Sequence, residues 1–295
     1  MKEILDAVLH EKRKKLILDT DTYNEVDDQF AVAYAMLSPE LRLLSLNAAP
    51  FLNDRSVSAE DGMEKSFEEL KRIASLTKPG HSIPIFRGSR SFMTGRDNPV
   101  DSPAAQNIID TVKNLPEGER LYIAVIGAAT NVASAIVAAP EIKDRIIIVW
   151  LAGNSYMSAH PREFNMHGDL PAAQVIFDCG VPLLQIPCDG VCTELATTIP
   201  ELDFYLKGKN DLCDYLCDIV RGYTHDAYAW SKVIWDVSAI ACLILPNSMS
   251  RVILPAPMVL DRFYSFDAGR HQYIYVRKLF RDEIFRDLFR KLAGK

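Results

Sequence analysis

The stretch LILDTDTYNEVDDQFAVAY, Leu16 to Tyr34, packs four aspartates and one glutamate into the ten residues from Asp19 to Asp28. It joins two unlike patterns. Lys15–Asp19 is an apolar run of strand length, whereas Phe30, Tyr34 and Leu37 recur at helical spacing behind Asp27, which stands where an N-cap belongs. The acids therefore fill a strand-to-helix connection. Capping and the helix dipole account for Asp27 and Asp28 but leave Asp19 and Asp21 unexplained. Carboxylates gathered at one strand end repel one another unless a positive centre lies among them, and an all-oxygen donor set is what a hard divalent cation such as Ca²⁺ selects. The spacing is not that of an EF-hand loop. Two readings stay open on the residues alone: a divalent-metal site and a solvated acidic loop.

The same strand-then-helix rhythm continues outward. Further strands are expected at Leu43–Ala49, Ile83–Phe86, Leu121–Ile126, Arg145–Ala152 and Pro182–Pro187, and helices at Asp27–Leu37, Ala59–Ser75, Pro103–Lys113, Asn131–Ala138, Pro171–Cys179, Asn210–Tyr228 and Asp236–Leu245. A last strand pair is expected near Met258–Phe263 and Gln272–Val276, ahead of a closing helix at Arg281–Leu292. Such alternation predicts an α/β fold with a mostly parallel open sheet covered by helices on both faces. No linker-like composition or internal repeat divides residues 1–295, so one domain is expected. In sheets of this kind ligands bind at the carboxyl ends of the strands, which is where the acidic connection falls.

The chain has 295 residues, 48% of them hydrophobic, enough for a sizeable core. Its net charge of −6 offers no basic field for nucleic acid or an anionic membrane surface. The charged, interrupted N-terminal stretch does not read as a signal peptide and no apolar run reaches a bilayer-spanning length, so a cytoplasmic protein is expected. The six cysteines form no C-x-x-C pair and read as reduced, mostly buried thiols.

The run Asp19-Thr-Asp21…Asp27-Asp28 resembles the D-x-D-x-x-x-D-D signature of the nucleoside hydrolase family, the inosine-uridine preferring N-ribohydrolases. Other segments match in order: Ile83-Pro-Ile-Phe-Arg-Gly88 is similar to the family's I-P-V-x-x-G, Gly127-Ala-Ala-Thr-Asn131 to its G-x-L-T-N, and Arg162-Glu-Phe-Asn165…Asp169-Leu-Pro-Ala-Ala173 to its x-E-F-N…D-P-E-A-A. Gly180-Val-Pro-Leu183, Asp189 and Asp236 continue the series.

The resemblance implies a Rossmann-like core and Ca²⁺-dependent cleavage of the N-glycosidic bond of ribonucleosides, giving ribose and a free base. It implies Asp21, Asp28, Asp236 and the carbonyl of Ile126 as metal ligands, with Asp21 also activating the attacking water. Asp27, Glu163 and Asn165 would hold the sugar, as would Asn53 on a looser match. Homodimers or homotetramers are the family's assemblies, and a small nucleoside is the implied partner.

Two departures stand out. Five residues, Thr22-Tyr-Asn-Glu-Val26, separate the two acidic pairs where the family has three, which either extends the pocket with Asn24 or Glu25 or forms a solvent-facing bulge. Trp235 precedes the late aspartate where many members carry a leaving-group histidine. Some purine-preferring members instead stack the base between aromatic rings, a role open to Trp235 or Trp230 alongside a plain core role. His225 is the expected replacement acid, with Tyr223, Tyr228, His160 and His167 as competitors, and the family's sugar-contacting asparagine ahead of E-F-N finds no clear counterpart in Asn154-Ser-Tyr-Met-Ser158. The expected activity is nucleoside hydrolysis with a lean toward purines. Hydrolysis of another N-ribosyl compound or a modified nucleoside, and catalytically weak ribose or nucleoside binding, are the alternatives.

Overall fold

The computed structural model describes residues 1–78, 80 and 82–295. Twelve strands occur among them in chain order: β1 (Lys14–Thr20), β2 (Leu41–Ala48), β3 (Ile85–Phe86), β4 (Leu121–Val125), β5 (Ile146–Leu151), β6 (Leu183–Ile186), β7 (Ala196–Thr197), β8 (Lys232–Val233), β9 (Met249–Pro255), β10 (Met258–Val259), β11 (Tyr264–Ser265) and β12 (Gln272–Leu279). The helices are α1 (Lys2–His10), α2 (Asp28–Leu37), α3 (Ala59–Thr77), α4 (Pro103–Lys113), α5 (Thr130–Ala138), α6 (Phe164–Gly168), α7 (Leu170–Asp178), α8 (Ile199–Tyr205), α9 (Asp211–Arg221), α10 (Val237–Ile244) and α11 (Arg281–Leu292).

Eight strands form one sheet in the order β3-β2-β1-β4-β5-β6-β12-β9, parallel throughout except for β9 at the edge. The run Leu16-Ile17-Leu18 shows why the sheet is buried on both sides. Leu16 and Leu18 point into the core layer shared with α2, α3, α9, α10 and α11, and Ile17 points into the opposite layer with α4, α5 and α7. Successive strand side chains alternate between faces, so only a strand apolar at every position fills both layers. β4 and β5 repeat the pattern, with Tyr122, Ala124, Ile147 and Val149 on the first face and Ile123, Val125, Ile148 and Trp150 on the second. Asp19 continues the phase of Ile17, and its carboxylate meets Asn131 of α5 on that second side.

The α/β architecture and its mostly parallel sheet agree with the sequence reading, but two of the expected elements are placed differently. β12 pairs with Met249–Pro255, not with the stretch near Met258, which instead folds back on Tyr264–Ser265 as a short hairpin. Pro255 lacks the amide proton a central strand needs, and it sits at the end of an edge strand where that donor is dispensable. The helix expected at Asn210–Tyr228 stops at Arg221. Beyond Gly222, Thr224 Oγ1 bonds the backbone of Asp226 and Asp226 Oδ1 accepts the Tyr228 N–H at 2.9 Å, local bonds that compete with continued helix. α1, α6 and α8 are additional short helices. All six cysteines are free thiols, and all but Cys179 are buried. No helix of the described residues is long and apolar enough to cross a membrane.

Candidate active site

The strand order reverses direction between β1 and β4, the place where an open parallel sheet leaves a crevice at its carboxyl edge. Asp21 follows β1 there and Ile126 follows β4, with the Ile126 N–H bonded to the Asp19 carbonyl at 2.9 Å. A cavity of about 280 Å³ opens over this edge. Ile126 and Asp27 line it from the switch point, Glu163 and Asn165 from the start of α6, and Trp235 and Asp236 from the entry to α10. The sequence-expected residues from four separate segments therefore converge.

The acids are buried together. One carboxylate oxygen from each of Asp27, Asp28 and Asp236 lies within 4.8 Å of the other two. Asp21 Oδ2 accepts from Asn24 Nδ2 at 3.0 Å and Asp28 Oδ1 from Thr20 Oγ1 at 2.6 Å, while Asp21 Oδ1 and Asp28 Oδ2 are buried without a hydrogen-bond partner. Burial, reinforced by the neighbouring acids, pushes Asp21 and Asp236 well above the usual carboxylate range and Asp28 to about 7. Asp19 reaches about 7 through burial, partly offset by Asn131 and Asn47. Buried acceptors without donors are costly, and an oxygen-only set of this kind fits a hard divalent cation. Gly127 makes the crowding sterically feasible: a Cβ there would sit 2.9 Å from Asp21 Cγ.

Asp27 heads α2, yet its side chain does not cap that helix. Its Oδ2 accepts the Trp235 N–H at 3.0 Å and its Oδ1 lies 3.6 Å from Lys232 Nζ. Lys232 is 6% exposed and also pairs with Glu25. Burial alone would lower the pKa of this ammonium, and Asp27 and Glu25 together more than reverse that effect.

At the far side of the cavity Glu163 caps α6 by accepting from the Gly153, Asn165 and Met166 amides at 2.8, 2.9 and 3.1 Å. Asn165 Nδ2 donates to the Leu151 carbonyl at 3.0 Å. Both side chains are thus fixed by backbone at the carboxyl end of β5. Burial also raises the Glu163 pKa.

Other expected residues sit elsewhere. Asn53 is half-buried and holds the first connection, donating from Nδ2 to the Asn24 carbonyl and side-chain oxygens at 3.2 and 3.1 Å. His225 is exposed in the α9–β8 connection, and among the described residues no histidine lines the cavity. His160 is exposed, and His167 faces Asp261 of the β10–β11 hairpin at 2.9 Å. Tyr223 donates to Glu25 Oε1 at 3.1 Å, Tyr228 is 91% exposed, and Trp230 packs partly buried beside Tyr223.

Three contributors carry little or no signal in the sequence. Asn154 lines the cavity, its Nδ2 holding the His160 and Arg162 carbonyls at 3.3 and 2.9 Å. Its only signal is positional, a polar residue in the turn that follows a strand, three residues past the end of β5. Cys188 lines the cavity as a buried thiol, and Lys232 is the buried cation beside the acids. Nothing in the spacing of either residue marks it.

The sequence matches the family described as "Inosine-uridine preferring nucleoside hydrolase" over residues 16–277. Similar proteins include a probable uridine nucleosidase 2 of Arabidopsis thaliana, 26% identical over 80% of this chain and 79% of that one. An inosine-uridine preferring nucleoside hydrolase of Leishmania major is 25% identical over 84% of each chain. Among solved structures, a purine-preferring ribonucleoside hydrolase from Gardnerella vaginalis shares the fold with a TM-score of 0.76 at 23% identity, over 95% of this chain and 98% of that one. With the family match spanning nearly all of the sheet and every acid of the site, the chain belongs to the inosine-uridine preferring nucleoside hydrolase family, hydrolases of N-glycosyl bonds.

Proposed function

We propose that the protein is a Ca²⁺-dependent ribonucleoside hydrolase that releases ribose and a free base, with a lean toward purines. The observation that carries this reading is the pair of buried, unpartnered carboxylate oxygens on Asp21 and Asp28, with Asp28 grouped with Asp27 and Asp236, two acids that line the cavity. Asp21, Asp28, Asp236 and the Ile126 carbonyl would hold the cation. When bound, the cation supplies a positive centre that offsets these acids and orients a water for attack on the anomeric carbon.

Asp21 takes the proton of the attacking water, since Ca²⁺ acidifies water too weakly to dispense with a base. Asp27, Glu163 and Asn165 accept or donate hydrogen bonds to the ribose hydroxyls, and these tighten as the ring flattens toward an oxocarbenium-like transition state. Trp235 offers its ring to the departing base, which supports the purine lean. His225 remains the proposed leaving-group acid, a role that requires the α9–β8 connection to bring it to the cavity. A homodimer or homotetramer in a cytoplasmic setting completes the reading.

The test is a reducing-sugar assay across purine and pyrimidine ribonucleosides, repeated with Asp21→Ala and with chelator. Ribose release that is abolished by both supports the assignment. Turnover indifferent to both removes the mechanism.

A further inference from the structure

The connection from Asp21 to Asp27 is two residues longer than the family signature, and its acid Glu25 is not idle. Glu25 lines the cavity, pairs with Lys232 through Oε2 and accepts Tyr223 Oη at Oε1. The loop that carries it is pinned from the other side by Arg55, whose Nη1 donates to the Glu25 carbonyl at 2.7 Å. Arg55 also stacks on Tyr23 at 4.4 Å. Lys232, in turn, faces Asp27 Oδ1, while Trp235 N–H holds Asp27 Oδ2. Both oxygens of Asp27 are therefore addressed by one short stretch, residues 232–235, and neither caps the helix that Asp27 precedes.

A lysine stem has several rotatable bonds, so an ammonium positions a neighbour well only when something else fixes it. Glu25 is that second anchor. We propose that Glu25 and Lys232 are a positioning pair: Glu25 fixes the ammonium, and the ammonium with the Trp235 amide aims the Asp27 carboxylate at the substrate hydroxyls. The inference rests on the sugar-holding role proposed above for Asp27. It gives the two extra residues of the connection a function, which is to deliver the counter-anion of Lys232.

The experiment compares kcat/KM for a ribonucleoside with that for its 2′-deoxy and 3′-deoxy analogues in the wild type, Lys232→Met, Lys232→Arg, Glu25→Gln and Asp27→Asn, with thermal unfolding run on each. In Lys232→Met and Asp27→Asn the preference for the ribonucleoside over at least one deoxy analogue falls at least tenfold, Lys232→Arg restores most of it, and Glu25→Gln gives an intermediate loss. A merely structural ion pair lowers all substrates alike and leaves the ratio unchanged. An active wild type whose ratio is unmoved in Lys232→Met, or in Glu25→Gln should the first variant not fold, overturns the positioning role alone. A folded wild type inactive on every ribonucleoside overturns the hydrolase reading and the positioning role with it.

Discussion

Asp19 offers a stability test that is independent of turnover. Its carboxylate is fully buried, accepts from Asn131 Nδ2 at 3.0 Å through Oδ2, and leaves Oδ1 without a partner. Burial raises its pKa from 3.8 to about 7. The sign follows from linkage: an acid whose folded pKa is raised contributes stability that is complete below the unfolded value and is lost as pH climbs through the folded one. Between pH 5 and pH 8 the metal-free native state gives up roughly one proton that the unfolded state has already lost. At 1.36 kcal/mol per pH unit over about two units, the change is about 3 kcal/mol from this residue. For a chain of this size that is a fall in Tm of about 6 °C. Asp19→Asn keeps an acceptor toward Asn131 and removes the titration. Scanning calorimetry of chelator-treated wild type and Asp19→Asn at pH 5 and pH 8 reads the effect as a difference of slopes, with the wild type losing more stability on going to pH 8. Equal slopes would refute the reasoning.

Three other outcomes are expected. Gly127→Ala drives a methyl group to 2.9 Å from Asp21 Cγ, so divalent-cation affinity measured by calorimetry falls at least tenfold, and unchanged affinity would separate Asp21 from the metal. His225→Ala lowers kcat on purine ribonucleosides at least tenfold while sparing a 4-nitrophenyl riboside, whose leaving group needs no proton; equal effects on both would take His225 out of the proton path. Asp169→Ala strands the Met93 and Ala172 amides and the Thr130 hydroxyl that the carboxylate now accepts from at 2.9, 3.0 and 2.7 Å, and denaturant unfolding should show a loss of about 3 kcal/mol.

The sheet was readable because its strands are apolar at consecutive positions, a pattern only a doubly covered parallel sheet demands, and because Asp, Gly or Pro closes each run. The edge strand Met249–Pro255 carries no clear signal, since its apolar centre is short and a proline-broken stretch of similar composition follows it directly. At the site, Asp21, Asp27, Asp28, Glu163, Asn165 and Asp236 were legible as an ordered set of carboxylates and amides at element ends, and the structure gathers them at one sheet edge. What could not be read was which side chain answers which. The Lys232 pairing with Glu25 and Asp27 spans about two hundred positions of sequence, and a single lysine in a short polar segment carries no periodicity or motif to announce it. Likewise Asn53 rests on a loose match to a pattern and His225 on its nearness in sequence to Asp236, whereas the positions of both depend on how the connections around them fold.

The five-residue connection Thr22–Val26 also bears on how such a site can change over generations. Its ends, Asp21 and Asp27, adjoin the strand and the helix, and lengthening the span from three residues to five costs about 0.5 kcal/mol in closure entropy, against which the burial of Thr22, Asn24 and Val26 is set. A charged side chain, Glu25, is thereby brought to the cavity, while Asp21 and Asp28 stay rooted just beyond β1 and at the start of α2. Variation in substrate range is accordingly free to accumulate in that connection, decoupled from the part of the chain that the fold cannot alter.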